Sequence, residues 1–528
     1  MTSSPPKPNI VFIVLDTHRK DRLSFYGYEK PTSPNLDAFA SGATVFDAAV
    51  SPAQWTIPSH ASMFSGEFPA THQTLQSSDA LDPYFKTLAE WLQGSGYYRS
   101  GFCNNPLVGV LGNGLKRGFG TFYNYGGAVP STPARNQPLY LKPLSQIWER
   151  YTQLLRKISY PIQNAVARSD RVFRLTLNPM LVPLWTRFAN FKGNTVRSLA
   201  DASQFLGKYV QPASRVPHFL FLNLMETHLP FAAPAPFVSR FAPYFMEERA
   251  ARDFMRVYNT QAMRWLLPME EPFSELEGQT LSDLYDAEVA YQDHLLGEFL
   301  ELLDTPYHKE NTVVVIAADH GELLGEHGYM GHGLSVHEDL VSVPFVVRYP
   351  RQTAGRRIQA PVSTLQLFYT LLELAKVDIS SQEERLGERL EKLSLARLDK
   401  AGFEFPNPVV SEAYAPEYIL KLVDGQHQNL HELYGVRSTQ RAVYSPERLK
   451  LIQIDRAGSK LYDINTDTAE EHPLPADEHQ AARQQLEIGL KLFLEEAATR
   501  QPENWSRRSL QIEDEAVLQR LRGLGYLE

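Results

Sequence analysis

The chain has 528 residues, 43% hydrophobic and 21% charged, with a formal net charge of -9; that is enough for a large domain with a smaller partner, and it argues against a general nucleic-acid binder. Cys103 is the only cysteine, which excludes an intrachain disulfide and a cysteine metal cluster. No long apolar segment follows a basic start in "MTSSPPKPN", and "IVFIVL" is too short to span a bilayer, so a cytoplasmic protein without a transmembrane segment is expected.

In chain order, "NIVFIVLD" is a continuous β-branched run that fits a strand buried on both faces, with Asp16 at its carboxyl end. "SPNLDAFASGA" and "YFKTLAEWLQGSG" read as helices. "PHFLFLNLME" and "NTVVVIAADHGE" repeat the buried-strand pattern, and "VPFVVRYP" is a fourth such run. Between them "LYDAEVAYQDHLLGEFLELLD" reads as a helix with Leu284, Val289, Leu295 and Leu296 near one face. Strands alternating with helices predict an α/β fold with a large, mainly parallel sheet flanked by helices. Residues 380–407 are charged and then proline-broken, which suits an exposed helix leading to a boundary. The expected division is a catalytic domain over 1–405 and a smaller C-terminal α+β domain over 406–528, with strand-like "GVRSTQRAVYS", "RLKLIQID" and "SKLYDI" and the helical "HQAARQQLEIGLKLFLEEAATR". A basic, aromatic insertion covers about 130–195. Within 142–192 it carries nine Lys and Arg against Glu149 and Asp170; it reads either as a helical lid or as a contact to an anionic membrane surface.

Ligands of such sheets gather outside the carboxyl ends of the strands, where Asp16, Glu226, His228, Asp319 and His320 all fall. Asp16 alone fits a helix cap or loop acceptor as well as a metal ligand. Asp319 and His320, adjacent on a turn and followed by His327 and His332 in a glycine-rich loop, can aim oxygen and nitrogen at one ion. Thr56, in "WTIPSHASMFSG", stands where a helix begins. Its default role is an N-cap, but a hydroxyl at a helix N-terminus and beside a divalent cation also becomes a nucleophile.

These segments resemble the sulfatase-like branch of the alkaline phosphatase superfamily, through "NIVFIVLDTHRKDRLSFYGYEKPTSPNLDAFA", "WTIPSHASMFSGEFPATH", "HLPF", "LYDAEVAYQDHLLG", "VVVIAADHGELLGEHG", "VPFVVRYP", "PVSTLQLFYTLLELAKV" and "SKLYDINTDTAEE". The resemblance implies Asp16, Asp319 and His320 as metal ligands, with Thr56 as nucleophile on the same ion. It places His228 and His332 at the oxyanion or the leaving group, and His60 closes the motif around Thr56 as a further catalytic candidate. Asn104 and Asn105 match a family loop near the pocket and receive no role. The usual Cys-x-Pro-x-Arg motif reads here Thr56-Ile57-Pro58-Ser59-His60, and threonine cannot become formylglycine. Thr17 stands where many sulfatases have a second Asp, His320 where many have Asn, and His332 replaces a lysine. One divalent ion is implied, zinc or manganese before magnesium or calcium. Threonine with two Asp and a His is similar to the phosphodiesterase and phosphoethanolamine-transferase relatives.

The expected activity is therefore metal-dependent hydrolysis of phosphodiester or phosphonate esters, or of sulfate esters, through Thr56. Arylsulfatase-like hydrolysis without formylglycine, transfer of the covalent group to a second alcohol, and a non-catalytic binding module are the alternatives. The expected substrate is a small-molecule or lipid-headgroup ester, with no nucleic acid.

Overall fold

The structure, a computed structural model, describes residues 7–126 and 192–502 apart from 213, 215, 380–383, 418, 421–422, 424–434 and 456. The basic stretch therefore lies outside the described residues except for Lys192. Eight strands form the main sheet: β1 (Asn9–Leu15), β2 (Thr44–Phe46), β3 (Tyr98–Cys103), β4 (Thr121–Asn124), β5 (His218–Leu224), β6 (Thr312–Ala318), β7 (Phe345–Arg348) and β8 (Arg356–Ile358). Their spatial order is β8-β2-β7-β6-β1-β5-β3-β4. β1 is central and pairs in parallel with β5 and β6, Leu15 lying between Leu224 and Ala318. The run "VPFVVRYP" is the exception to the parallel pattern. β7 is antiparallel to both β6 and β2, so its carboxyl end points away from the site.

The long apolar runs form strands because both their faces are covered. Val11, Ile13 and Leu15 enter one core with Leu220, Leu222, Leu224, Val314 and Ile316. Ile10, Phe12 and Val14 enter the opposite core with Phe219, Phe221, Val313 and Val315. This is the period-two alternation of a pleated strand, and each such buried side chain contributes about 1.5–3 kcal/mol.

The helices include α1 (Pro34–Ala40), α2 (Thr56–Ser65), α3 (Leu88–Gly94), α4 (Thr195–Tyr209), α5 (Glu275–Leu303), α6 (Gln366–Leu374), α7 (Glu384–Leu393) and α8 (Gln480–Thr499); others, Ala235–Phe241 and Arg249–Thr260 among them, lie between these. α5, 29 residues long, begins in a capping box: Ser274 accepts from the Glu277 N–H and the Glu277 carboxylate accepts from the Ser274 N–H. α2 is buried along its whole length. It ends at Gly66 with φ +71°, where an added Cβ would lie 2.4 Å from Phe368 Cδ1; the Gly66 carbonyl accepts from Tyr369 Oη at 2.8 Å and Arg389 Nη2 at 2.9 Å.

A smaller C-terminal sheet follows as an antiparallel meander of β9 (Val409–Ala413), β10 (Gln440–Tyr444), β11 (Leu449–Ile454) and β12 (Gly458–Asp463). One face packs on Leu486 and Leu490 of α8. The other packs on Leu323, Leu334, Leu340 and Val341, the loops that follow β6. Among the described residues no helix is long and apolar enough to cross a membrane.

Candidate active site

Thr56 is the first residue inside α2 and not its cap. Trp55, in extended conformation, holds the cap position without a side-chain cap bond, so the expected capping role of the Thr56 hydroxyl is corrected. That hydroxyl lies 3.3 Å from His320 Nε2 and is buried. Two further residues of the motif support the turn from within. The His60 Nδ1–H donates to the Thr56 carbonyl at 2.9 Å, and the Ser59 hydroxyl donates to the Asp319 carbonyl at 2.8 Å.

Asp16 and Asp319 come from the carboxyl ends of neighbouring strands β1 and β6, which the parallel register sets side by side. Asp16 Oδ2 accepts from Asn105 Nδ2 at 2.6 Å and from Asn223 Nδ2 at 3.2 Å. Asp319 Oδ1 accepts from the N–H groups of Thr17 and His320, at 3.3 and 3.0 Å. Asp16 Oδ1 and Asp319 Oδ2 are buried and have no hydrogen-bond partner. The donor atoms of Asp16, Asp319 and His320 all lie within 4.8 Å of one another. Burial, with the Asp16 charge beside it, pushes the Asp319 carboxyl well above the usual carboxylate range. Two buried carboxylates facing each other with one orphaned oxygen apiece lack a positive charge, and a divalent cation fits that demand.

Histidine tautomers follow from the fixed partners. A carbonyl only accepts, so His320 donates through Nδ1 to Gly321 O at 2.8 Å and keeps a lone pair on Nε2; burial, then the His332 charge, holds its pKa well below the ordinary value. His228 donates through Nδ1 to Leu229 O at 2.8 Å, and burial, with His332 beside it, lowers its pKa. The His332 ring centroid lies 4.6 Å from that of His320, with the planes tilted, and 5.2 Å from that of His228, edge to face. Burial opposes its charge, but Glu322, 2.8 Å from His332 Nδ1, outweighs that effect and raises its pKa. The site thus joins two neutral imidazoles to one that holds its proton more tightly.

Two expected neighbours stand elsewhere. His327, at φ +56°, stacks on His337 with ring centroids 3.7 Å apart. Glu226 meets the site edge through its backbone: its N–H donates to Gln292 Oε1 and its carbonyl accepts from Lys192 Nζ. Asn104 donates to Thr195 Oγ1. Asn105 has a role after all, since its Oδ1 caps the turn at Leu107 while its Nδ2 holds Asp16.

Sequence reasoning missed Glu322, Asn223, Thr227, Tyr285 and Gln292. Glu322 and Asn223 lie within or beside buried strand ends, where a polar residue was a signal in plain view. Tyr285 and Gln292 sit on the buried face of α5, and their significance depends on what crosses them. The strained residue there is Thr17, at φ +56°; a β-branched side chain in the left-handed region costs roughly 1–2 kcal/mol.

The family pattern described as Sulfatase matches residues 8–377. The chain belongs to the Sulfatase family. It is an ester-hydrolysing enzyme of that family, whose members are generally dependent on a divalent metal. Among relatives, this sulfatase-family chain is similar to the uncharacterized sulfatase YidJ of Escherichia coli (strain K12), 23% identical over 73% of this chain and 70% of that protein. It is 25% identical to an ulvan-active sulfatase of Formosa agariphila over 74% of this chain, but it spans 65% of that longer protein. Among solved structures, the phosphonate monoester hydrolase of Agrobacterium radiobacter superposes with a TM-score of 0.61, 19% identity and coverage of 93% of this chain and 96% of that one. The last likeness establishes a shared fold.

Proposed function

We propose that this sulfatase-family enzyme hydrolyses phosphodiester or phosphonate monoesters through a covalent ester on Thr56. The observation that carries the reading is the Thr56 hydroxyl at 3.3 Å from His320 Nε2, beside the orphaned oxygens of Asp16 and Asp319. Asp16, Asp319 and His320 would hold one divalent ion with Thr56 beside it; their mixed oxygen and nitrogen set favours zinc or manganese over magnesium or calcium. When bound, that ion supplies Lewis acidity, lowering the proton affinity of the Thr56 hydroxyl and offsetting charge on a nonbridging oxygen.

The chain's own groups do the rest. At the N-terminus of α2 the first backbone N–H groups and the helix dipole favour an anionic group. Thr56 Oγ1, entering as the alkoxide with its proton already lost to bulk water, forms the bond to phosphorus as the bond to the leaving oxygen breaks, and it returns to the alkoxide when the ester is cleaved. Protonated His332, held by Glu322, gives its Nε2 proton to that departing oxygen, and neutral His228 orients it. Water then attacks phosphorus, its proton returning to His332, and Thr56 is released. His60, bonded to the carbonyl of Thr56, supports the nucleophile and does not touch the leaving group.

A second reading, sulfate-ester hydrolysis by the same steps, is favoured by the names of the relatives, one of them an ulvan-active sulfatase. Nitrophenyl sulfate, phenylphosphonate monoester and phosphodiester substrates, assayed side by side, separate the two. The phosphonate or phosphodiester is expected to dominate by kcat/KM, and dominant sulfate turnover on unmodified Thr56 would overturn the preference. Thr56→Ala should lower turnover by at least about 10³-fold while metal content stays unchanged. Activity retained in metal-replete Thr56→Ala would refute the nucleophile. Products formed in the presence of added alcohols report transfer in place of hydrolysis.

A further inference from the structure

The strained Thr17 lies between Asp16 and His18, and two side chains of one helix grip the loop from the Thr17 carbonyl onward, Tyr285 through the backbone and Gln292 through the His18 imidazole. Tyr285 Oη donates to the Thr17 carbonyl at 2.6 Å and accepts from the Arg19 N–H at 2.9 Å. Gln292 Nε2 donates to His18 Nδ1 at 2.9 Å, while its Oε1 accepts from the Glu226 N–H at 3.0 Å. Tyr285 and Gln292 are seven residues apart on α5, so they lie two turns apart on one face, and both are fully buried. Polar side chains on the buried face of a helix need partners. Here the partners are the backbone and the imidazole of a single loop, together with the neighbouring loop that carries His228.

The grip has a geometric result at the carboxylates. The left-handed turn at Thr17 sends its N–H to Asp319 Oδ1, and its hydroxyl donates to the Asp16 carbonyl at 2.7 Å; Thr227 Oγ1 donates to the same carbonyl at 2.6 Å. With Asp319 Oδ1 taken by the Thr17 and His320 N–H groups, and Asp16 Oδ2 by Asn105 and Asn223, the oxygens left over are Asp16 Oδ1 and Asp319 Oδ2. Left-handed backbone at a residue other than glycine persists only where its surroundings over-determine it.

We propose that Tyr285 and Gln292 are positioning residues that hold Thr17 in its left-handed conformation, and so aim the remaining oxygens of Asp16 and Asp319 at one cation. The inference rests on the metal reading above. It assigns to a helix remote in sequence the task of preorganising the ligands, in the manner of the outer-shell partners that fix ligand orientation in metal sites.

The test is calorimetric titration of Mn²⁺ into chelator-stripped protein, with thermal unfolding of the metal-free protein recorded beside it. Wild type, Tyr285→Phe, Gln292→Leu, Thr17→Gly and the two doubles with Thr17→Gly form the series. Tyr285→Phe and Gln292→Leu should each weaken Mn²⁺ binding by about 10-fold, within the 10- to 100-fold range of outer-shell losses. In the Thr17→Gly background the same changes should cost less than about threefold, because glycine enters the left-handed region unaided. This rescue is the readout that a merely space-filling role would not produce. An unchanged affinity in both single variants, or an equal loss in both backgrounds, would overturn the proposal. Wild type that takes up no Mn²⁺ at millimolar concentration would overturn the metal reading itself, and the proposal with it. Where Tyr285→Phe does not fold, Gln292→Met in the same two backgrounds carries the comparison.

Discussion

At the scale of single residues, the pair Glu322 and His332 sets the proton inventory of the site. The carboxylate raises the imidazole pKa against the effect of burial. Glu322→Gln removes the charge, so the His332 pKa falls and the protonated form survives only to lower pH. The alkaline limb of the kcat/KM profile is therefore expected to move toward acid by about one unit or more, the usual effect of an opposite charge at close range. A pH profile from 5 to 10 on both proteins checks it, and an unmoved limb would remove His332 from the acid role. Most of this site was legible as residue types: Asp16, Thr56, Asp319 and His320 could be chosen because strand ends and helix starts are where such groups gather. Glu322 was not, since an acid two residues beyond His320 looks like loop solvation until the chain folds His332 back on it.

At the scale of elements, the loop after β1 and the loop after β6 are joined by one buried guanidinium. Arg19 pairs with Asp21 at 2.8 Å, with Glu326 at 2.6 Å and with Asp339, and donates to the Glu322 carbonyl at 3.1 Å. Burial opposes its charge, but the three acids raise its pKa well above the ordinary value. Arg19→Met leaves the partly buried Glu326 and Asp339 without their cation, a change that costs about 1–3 kcal/mol; Asp21, half exposed, contributes little. Denaturant unfolding of the variant should show a loss of that size, and a loss under about 1 kcal/mol would mean that water replaces the guanidinium. β1, β5 and β6 were legible because an unbroken apolar run has few other solutions. β2 and β8 are three residues long, and β3 reads "YRSGFC", too polar for the same rule. β9 hides behind Glu412, a buried carboxylate satisfied by the Ala70 N–H at 2.9 Å and Tyr414 Oη at 2.8 Å.

At the scale of the whole molecule, the small sheet and the site share a core. Lys450 of β11 is fully buried, donates to the Val336 carbonyl at 2.8 Å and pairs with Glu338 and Glu470 at 3.0 and 2.7 Å. The C-terminal sheet thus holds the loops after β6 from behind, a contact that sequence patterns could not supply because Lys450 lies more than 100 residues from Val336 and Glu338. Metal should be felt through this assembly as stability. Free Mn²⁺ or Zn²⁺ at 100 times its Kd adds about 2.7 kcal/mol to the folded state, read as a rise in unfolding temperature that a chelator reverses. The gain should shrink as Asp16 and Asp319 are replaced by Asn, and an unfolding temperature indifferent to both ion and chelator would refute binding at this set.

The far end of α2 carries its own consequence for catalysis. Gly66 meets the Phe368 ring with no room for a methyl group, and its carbonyl is clasped by Tyr369 and Arg389. A ten-residue helix is a rod about 15 Å long, wedged at its tail and armed at its tip. Gly66→Ala should therefore act as a shim, pushing Thr56 along the helix axis and lowering kcat more than it raises KM, though the changed atom never comes near the substrate. A crystal structure or a kcat identical to wild type in that variant would show the rod bending instead of sliding.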